Sequence, residues 1–204
     1  MNVDNWISDN YIEVFGAITG IIYVFLEIRQ NIWLWPVGIV TSAVYILVFF
    51  SSKFYADMSL QGYYLIISCI GWYWWSRGGR QEAPDSYREG VRQELKVSRL
   101  KLKTGLILGA VFALLYFIMW LVLSKLTDSP VPEWDSFITS LSVIATWMLA
   151  RKIYEHWYLW IIVNFVSAVL FVVRGLYPTV ILYLVYGVMS FAGLIAWKKT
   201  IVKG

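Results

Sequence analysis

Four sets of uncharged polar and aromatic residues recur at helical spacing in this sequence. Gln61, Tyr64, Ser68, Trp72 and Trp75 each lie three or four positions from the next. A helix would carry them on one face. Tyr183, Tyr186, Ser190 and Trp197 form a second such face. Trp160, Asn164, Ser167 and Phe171 form a third, and Trp35, Ile39 and Ser42 a fourth. The chemistry these residues support is binding. Aromatic faces and amides suit a flat, polar, heteroaromatic ligand, and a ring cation gains about 0.5–2 kcal/mol from each good π contact. Asn164, deep in an apolar stretch, must find a partner on another helix or on a ligand. Gln61 faces the same choice. The serines also suit helix packing, and the tryptophans also suit anchoring at a membrane interface.

Catalysis is not expected. His156 and Cys69 are the single residues of their kinds. They leave no His-based zinc site and no Cys cluster. No Ser–His–Asp set or carboxylate pair could assemble in the apolar stretches, so neither a metal nor a cofactor is implied.

The elements that must position these residues are seven apolar blocks, at 11–28, 32–50, 59–75, 104–124, 134–150, 157–173 and 179–197. Each is near the ~17–25 residues a membrane-spanning helix needs. The composition agrees, with 59% hydrophobic and 15% charged residues. A soluble domain is nearer half apolar and a quarter charged. The blocks are continuous and do not alternate, which excludes a β-barrel. Glu13, Glu27, Arg29 and Glu155 fall near block ends, and no charged residue or His falls well inside one. That pattern disfavours a proton-coupled pump and a strongly anionic substrate.

Lys and Arg set the orientation. Three lie on the side of the N-terminus, namely Lys53, Lys125 and Arg174; the other fourteen of the 17 lie opposite. The N-terminus is therefore expected outside and the C-terminus in the cytoplasm. The net charge of +4 is read as this asymmetry and not as a nucleic-acid surface. The acidic, polar start has no secretory-signal pattern.

The chain also resembles itself. At an offset of 122, Arg29 pairs with Arg151, Tyr64 with Tyr186, Ser68 with Ser190, Gly71 with Gly193 and Trp75 with Trp197. Leu34-Trp35 matches Leu159-Trp160, and Ser42-Ala43-Val44 matches Ser167-Ala168-Val169, at an offset of 125. In that second register Asn164 has no polar counterpart. Blocks one to three thus match blocks five to seven, with the fourth as connector. Two parallel three-helix bundles (11–75 and 134–197) are expected, joined by a basic loop at 76–103 and a linker helix at 104–124. Substrate sites in such proteins lie at the repeat interface near midplane.

At these residues the sequence resembles the PnuC-type nicotinamide riboside transporters. The motifs are Leu60-Gln61, Gly71-Trp72-Tyr73-Trp74-Trp75, Trp134-Asp135-Ser136, Arg151-Lys152-Ile153-Tyr154-Glu155-His156-Trp157 and Trp160-x-x-x-Asn164. The resemblance covers about 11–199. It implies an all-α, seven-helix bacterial inner-membrane facilitator with the 3+1+3 architecture of the SWEET sugar transporters. It implies a vitamin-derived pyridinium riboside as substrate, moved downhill and trapped by a cytoplasmic riboside kinase. The site residues it suggests are Gln61, Tyr64, Trp72, Trp160, Asn164, Tyr183 and Tyr186, with Trp35. The chain departs from the SWEET pattern in lacking hinge prolines inside its helices, Pro36 excepted. Two other readings stay open: a facilitator of small neutral sugars, and a binding subunit of an ATP-driven vitamin importer.

Two features stand apart. Gly16-x-x-x-Gly20 permits close helix packing, within the bundle or in a homo-oligomer. The basic loop, with a helix start at Pro84-Asp85-Ser86 and apolar Val91, Leu95 and Leu102, suggests an interfacial helix on anionic lipid or a docking point for the kinase.

Overall fold

The computed structural model describes residues 11–51, 55–78, 95–127 and 130–201. Seven α-helices run through them: α1 Tyr11–Ile28, α2 Leu34–Ser51, α3 Tyr55–Arg77, α4 Leu102–Leu126, α5 Pro132–Ala150, α6 His156–Val173 and α7 Tyr177–Lys198. A continuous apolar run leaves the chain no solvent partner for its amides, and the helix bonds them internally. Pro36 is tolerated because it lies in the first turn of α2, where the N–H would have no helical acceptor. Pro132 opens α5 in the same way, and Glu133 and Asp135 complement the positive end of its dipole.

Helix neighbours run α1–α2–α3–α5–α6–α7 and back to α1. Six helices thus close a ring, and the sequence repeat divides it into units α1–α3 and α5–α7, which meet at the α1–α7 and α3–α5 seams. Tyr63 crosses the second seam, its hydroxyl donating to the Val143 carbonyl at 2.8 Å. α4 packs on α5 alone. It has no buried residue, whereas α5 buries ten of its nineteen. α4 is therefore the lipid-facing linker and α5 a wall. By length and hydropathy four helices (α2, α4, α6 and α7) qualify unaided as membrane spans. α1 contributes a shorter apolar stretch, Val14–Ile28, and α3 and α5 carry polar residues such as Gln61, Ser68, Ser142 and Thr146 that line the ring interior.

The two units are copies in detail. α1 ends on Gln30 at φ 52° and α5 on Lys152 at φ 49°. In each case the next residue bonds back five positions: Asn31 N–H to Leu26 and Ile153 N–H to Met148, both at 2.9 Å. These are Schellman caps at equivalent sites. Trp35 lies edge-on to Trp75 (5.4 Å, 89°), and Trp157 edge-on to Trp197 (5.8 Å, 82°). Such pairs contribute about 0.5–1.5 kcal/mol each beyond burial. Gly71 and Gly193 are required beside them, since a Cβ on either would overlap the Trp35 or Trp157 ring.

These contacts hold the 122 offset through all three helix pairs. The 125 register for the second block is therefore overturned. Trp35 corresponds to Trp157, not to Trp160, and Asn164 corresponds to Ser42. The string Leu-Trp recurs by coincidence one turn further along α6.

The units also grip each other reciprocally. The Trp75 indole N–H donates to the Ala150 carbonyl at the end of α5 (3.2 Å). The Trp197 N–H donates to the Glu27 carbonyl at the end of α1 (3.0 Å). The basic loop re-enters as extended chain. Ser98 bridges Lys152 and Tyr154, and the Leu100 N–H meets the Glu155 carboxylate at 2.7 Å. Leu95 packs into the core while Leu102 is 81% exposed, so these two share no helical face. The expected helix start at Pro84 and Val91 lie outside the described residues.

Candidate functional site

A cavity of about 320 Å³ occupies the centre of the ring. That is the small end of the ~300–1,000 Å³ range of small-molecule sites. All six ring helices contribute to it. Nine pairs of its lining residues are related by the 122 offset, among them Val24/Thr146, Gly38/Trp160, Thr41/Val163, Ser42/Asn164, Gln61/Tyr183, Tyr64/Tyr186 and Ser68/Ser190. A pseudo-symmetric scaffold thus holds an asymmetric wall. Unit one presents Gly38 where unit two presents Trp160, and Tyr23 fills that side, its ring against Gly38. Unit two has Ala145 opposite Tyr23 in the repeat. Bulk comes from the first helix of one unit and the second helix of the other.

Of the residues the sequence singled out, Gln61, Tyr64, Trp160, Asn164, Tyr183 and Tyr186 line this cavity. Trp72 and Trp35 do not. Trp72 is 44% exposed on the outer surface. The inward stripe of α3 runs through Ser68, Gly71 and Trp75, and Trp72 is turned off it. Trp35 is fully buried against Gly71 and shaped for packing. Gly16 and Gly20 serve packing inside the ring, Gly16 against α2 of its own unit and Gly20 against α7 of the other. They make room for the hydroxyl ends of Tyr45 and Tyr186 respectively.

The polar groups of the wall are partly spent. Asn164 donates one amide hydrogen to Ser190 Oγ at 3.1 Å, and Ser190 donates to the Tyr186 carbonyl at 2.8 Å. The Asn164 carboxamide oxygen is left for the cavity. Ser142 and Thr146 bond back to their own helix at 2.8 Å each. Two indole N–H groups of the wall, on Trp157 and Trp160, have no protein acceptor. A buried donor without one costs roughly 1–3 kcal/mol; Trp35, the repeat mate of Trp157, carries the same unpaired N–H away from the cavity.

Sequence reasoning missed Trp157 and, more importantly, Glu27. Glu27 lines the cavity and is 2% exposed. It is the single charged side chain among the described lining residues. Its carboxylate meets His156 Nε2 at 3.0 Å, and His156 is fully buried. The other ring nitrogen, Nδ1, lies 2.7 Å from the Ile153 carbonyl. A carbonyl can only accept, so Nδ1 carries a hydrogen. The Nε2–Oε1 contact needs one more, donated from either side. The pair is then imidazolium with carboxylate or imidazole with carboxylic acid, and is neutral overall in both. His156 lies between the Trp157 and Trp197 rings, each 4.7 Å away. The expectation of an interior free of ionisable groups is thus corrected. Glu27 is one residue from the end of α1, but that end is covered by the tryptophan plug and not by water. The one sequence signal was the lone His inside the motif 151–157.

Comparison with known proteins gives a consistent picture. The sequence profile of a family described as nicotinamide mononucleotide transporter matches residues 10–199. The chain is 26% identical to the nicotinamide riboside transporter PnuC of Escherichia coli (strain K12), over 92% of this chain and 85% of that protein. It is also 26% identical to the riboflavin/roseoflavin transporter RibM of Streptomyces davaonensis, over 91% and 83%. Among solved structures, the crystal structure of the vitamin B3 transporter PnuC superposes with a TM-score of 0.70. It covers 95% of this chain and 83% of that one at 24% identity, a likeness of fold.

Proposed function

The chain belongs to the nicotinamide mononucleotide transporter family, and from that premise we propose that it carries nicotinamide riboside across the membrane through the central cavity. It is a multi-pass membrane transporter and not an enzyme. The observation that carries the substrate reading is the charge of the wall. Its described lining residues include aromatic rings, amides and one carboxylate, with no Lys or Arg among them. A cationic pyridinium riboside suits that lining, while a phosphate would be desolvated beside Glu27 without a counter-charge. The riboside is therefore favoured over the mononucleotide. Trp160, Tyr183 and Tyr186 would flank the ring, and Gln61 and Asn164 would bond the ribose hydroxyls or the carboxamide.

Transport by facilitated diffusion, with the basic end cytoplasmic in a bacterial inner membrane and a riboside kinase trapping the product, is the accompanying proposal. A free-standing carrier needs no second chain, and the closed ring of six helices supports that. A second reading, riboflavin, is favoured by the relation to RibM. Its three fused rings demand more of a 320 Å³ cavity.

The test is calorimetric titration of the detergent-purified chain with nicotinamide riboside, nicotinamide mononucleotide and riboflavin, followed by uptake into liposomes holding this chain alone. Saturable binding and uptake of the riboside are expected. Binding of riboflavin instead would replace the first reading with the second. Binding of the mononucleotide at least as tight as the riboside would refute the argument from the wall's charge.

A further inference from the structure

We propose that Glu27 is the group by which the cavity selects a cation over a neutral ligand of the same shape. This rests on the substrate reading above and adds a residue that the aromatic lining did not imply. Aromatic walls favour a cation, but each contact does so less than a full opposite charge at the same distance. A carboxylate in a wall of low dielectric discriminates far more strongly.

The geometry gives Glu27 that role in three ways. It lines the cavity, whereas its partner His156 stands behind it and does not. Any charge the pair shows to a ligand is therefore the carboxylate. The pair also has an internal choice. One hydrogen bridges Nε2 and Oε1 across 3.0 Å, and a positive ligand on the cavity side favours the arrangement with the hydrogen on His156 and the charge on Glu27. Finally, the charge belongs to one unit alone. The repeat places Leu149 at the equivalent position, fully buried in the core. The cation end of an asymmetric ligand is thus directed toward the α1 side of the ring, at its basic end.

Tyr23, which interacts with Glu27, and Tyr64, which interacts with Tyr23, are titratable groups of the same wall. Neither supplies a negative charge at neutral pH, since an unperturbed tyrosine ionises near pH 10. The selectivity falls to Glu27.

The experiment compares nicotinamide riboside with 1,4-dihydronicotinamide riboside, which keeps the ribose and carboxamide and lacks the ring charge. Both are titrated into the full chain and into Glu27→Gln. Glutamine keeps the contact, because its amide N–H can donate to the Nε2 lone pair of neutral His156. In the native chain the riboside should bind about tenfold or more tighter than its dihydro form, the scale of a single desolvated charge contact. In Glu27→Gln the ratio should fall several-fold, toward the smaller preference that the aromatic faces give a cation, through loss of riboside affinity, with dihydro binding unchanged. Unchanged dihydro binding also reports an intact fold. A native ratio near one, or a ratio that survives Glu27→Gln, overturns the proposal while leaving the substrate reading in place. Failure of both ligands to bind the native chain overturns the substrate reading and this proposal with it.

Discussion

Unit one and unit two share a scaffold and differ in what they show the cavity. Where the residues do structural work, the copies agree. The caps at Gln30 and Lys152, the Trp35/Trp75 and Trp157/Trp197 pairs, and Gly71 and Gly193 are the same chemistry in the same place. Among the residues that face the cavity or its inner end, Tyr64/Tyr186 and Ser68/Ser190 still agree, but the copies part at Gly38 and Trp160, Ser42 and Asn164, Gln61 and Tyr183, and Glu27 and Leu149. A symmetric fold handles an asymmetric ligand by changing the wall and keeping the frame.

The largest expected effect breaks this division at its charged point. His156→Leu leaves Glu27 buried without a partner. Loss of one member of a buried pair costs about 3–5 kcal/mol, read as a lower midpoint in thermal melts of the detergent-purified chain. Adding Glu27→Leu, which gives unit one the residue of unit two, should recover most of that loss. If the double variant melts no higher than the single, the pair is not what fixes this corner.

Next comes the amide. Asn164→Leu should weaken riboside binding by about 100-fold, or ~2.7 kcal/mol. Ser42→Ala, its repeat mate, should cost less than about threefold, within the range of one weak hydrogen bond. Equal effects in titration calorimetry would mean that the two halves of the wall contribute alike.

A smaller effect tests the shared frame. Trp75→Phe and Trp197→Phe each remove one indole-to-carbonyl bond between units. Each should lower stability by about 0.5–1.5 kcal/mol, and by the same amount within error if the grips are equivalent. Markedly unequal melts would show that one seam dominates. The smallest effect is Trp72→Ala. A side chain on the outer surface should leave riboside affinity within about twofold, far below the ~1.4 kcal/mol of a tenfold change; a larger loss would return Trp72 to the site.

How much of this was legible follows from the physics of each signal. Hydropathy blocks are long-range averages, so all seven helices and the linker were readable. The repeat was readable too, because Tyr64/Tyr186, Ser68/Ser190 and Trp75/Trp197 keep one offset. The register of α2 against α6 was not. A local string, Leu34-Trp35 against Leu159-Trp160, outweighed a geometric rule that needs the packing partner, Gly71 or Gly193, to be seen. Trp72 was misplaced for a related reason. A run of steps of three and four drifts around the helix, and only the neighbours decide where the stripe lies. Glu27 falls near a block end in the sequence, a place where a charge ordinarily reaches water. Four tryptophans and His156 cover that end, and no property of residues 24–30 announces partners 129 and 170 positions away.

Those separations have a consequence for how the chain is made. Glu27 enters the membrane with the first helix, His156 follows 129 residues later, and the Trp197 donor to its carbonyl 170 residues later. At synthesis rates of about 5–20 residues per second, the gap to Trp197 spans roughly 10–30 s. During that time the first helix holds a carboxyl group with no partner on its own unit, and the last helix to be synthesised is the one that completes the first. A ribosome stalled before Trp197, or a chain clipped there, leaves the Glu27 carbonyl without its indole donor.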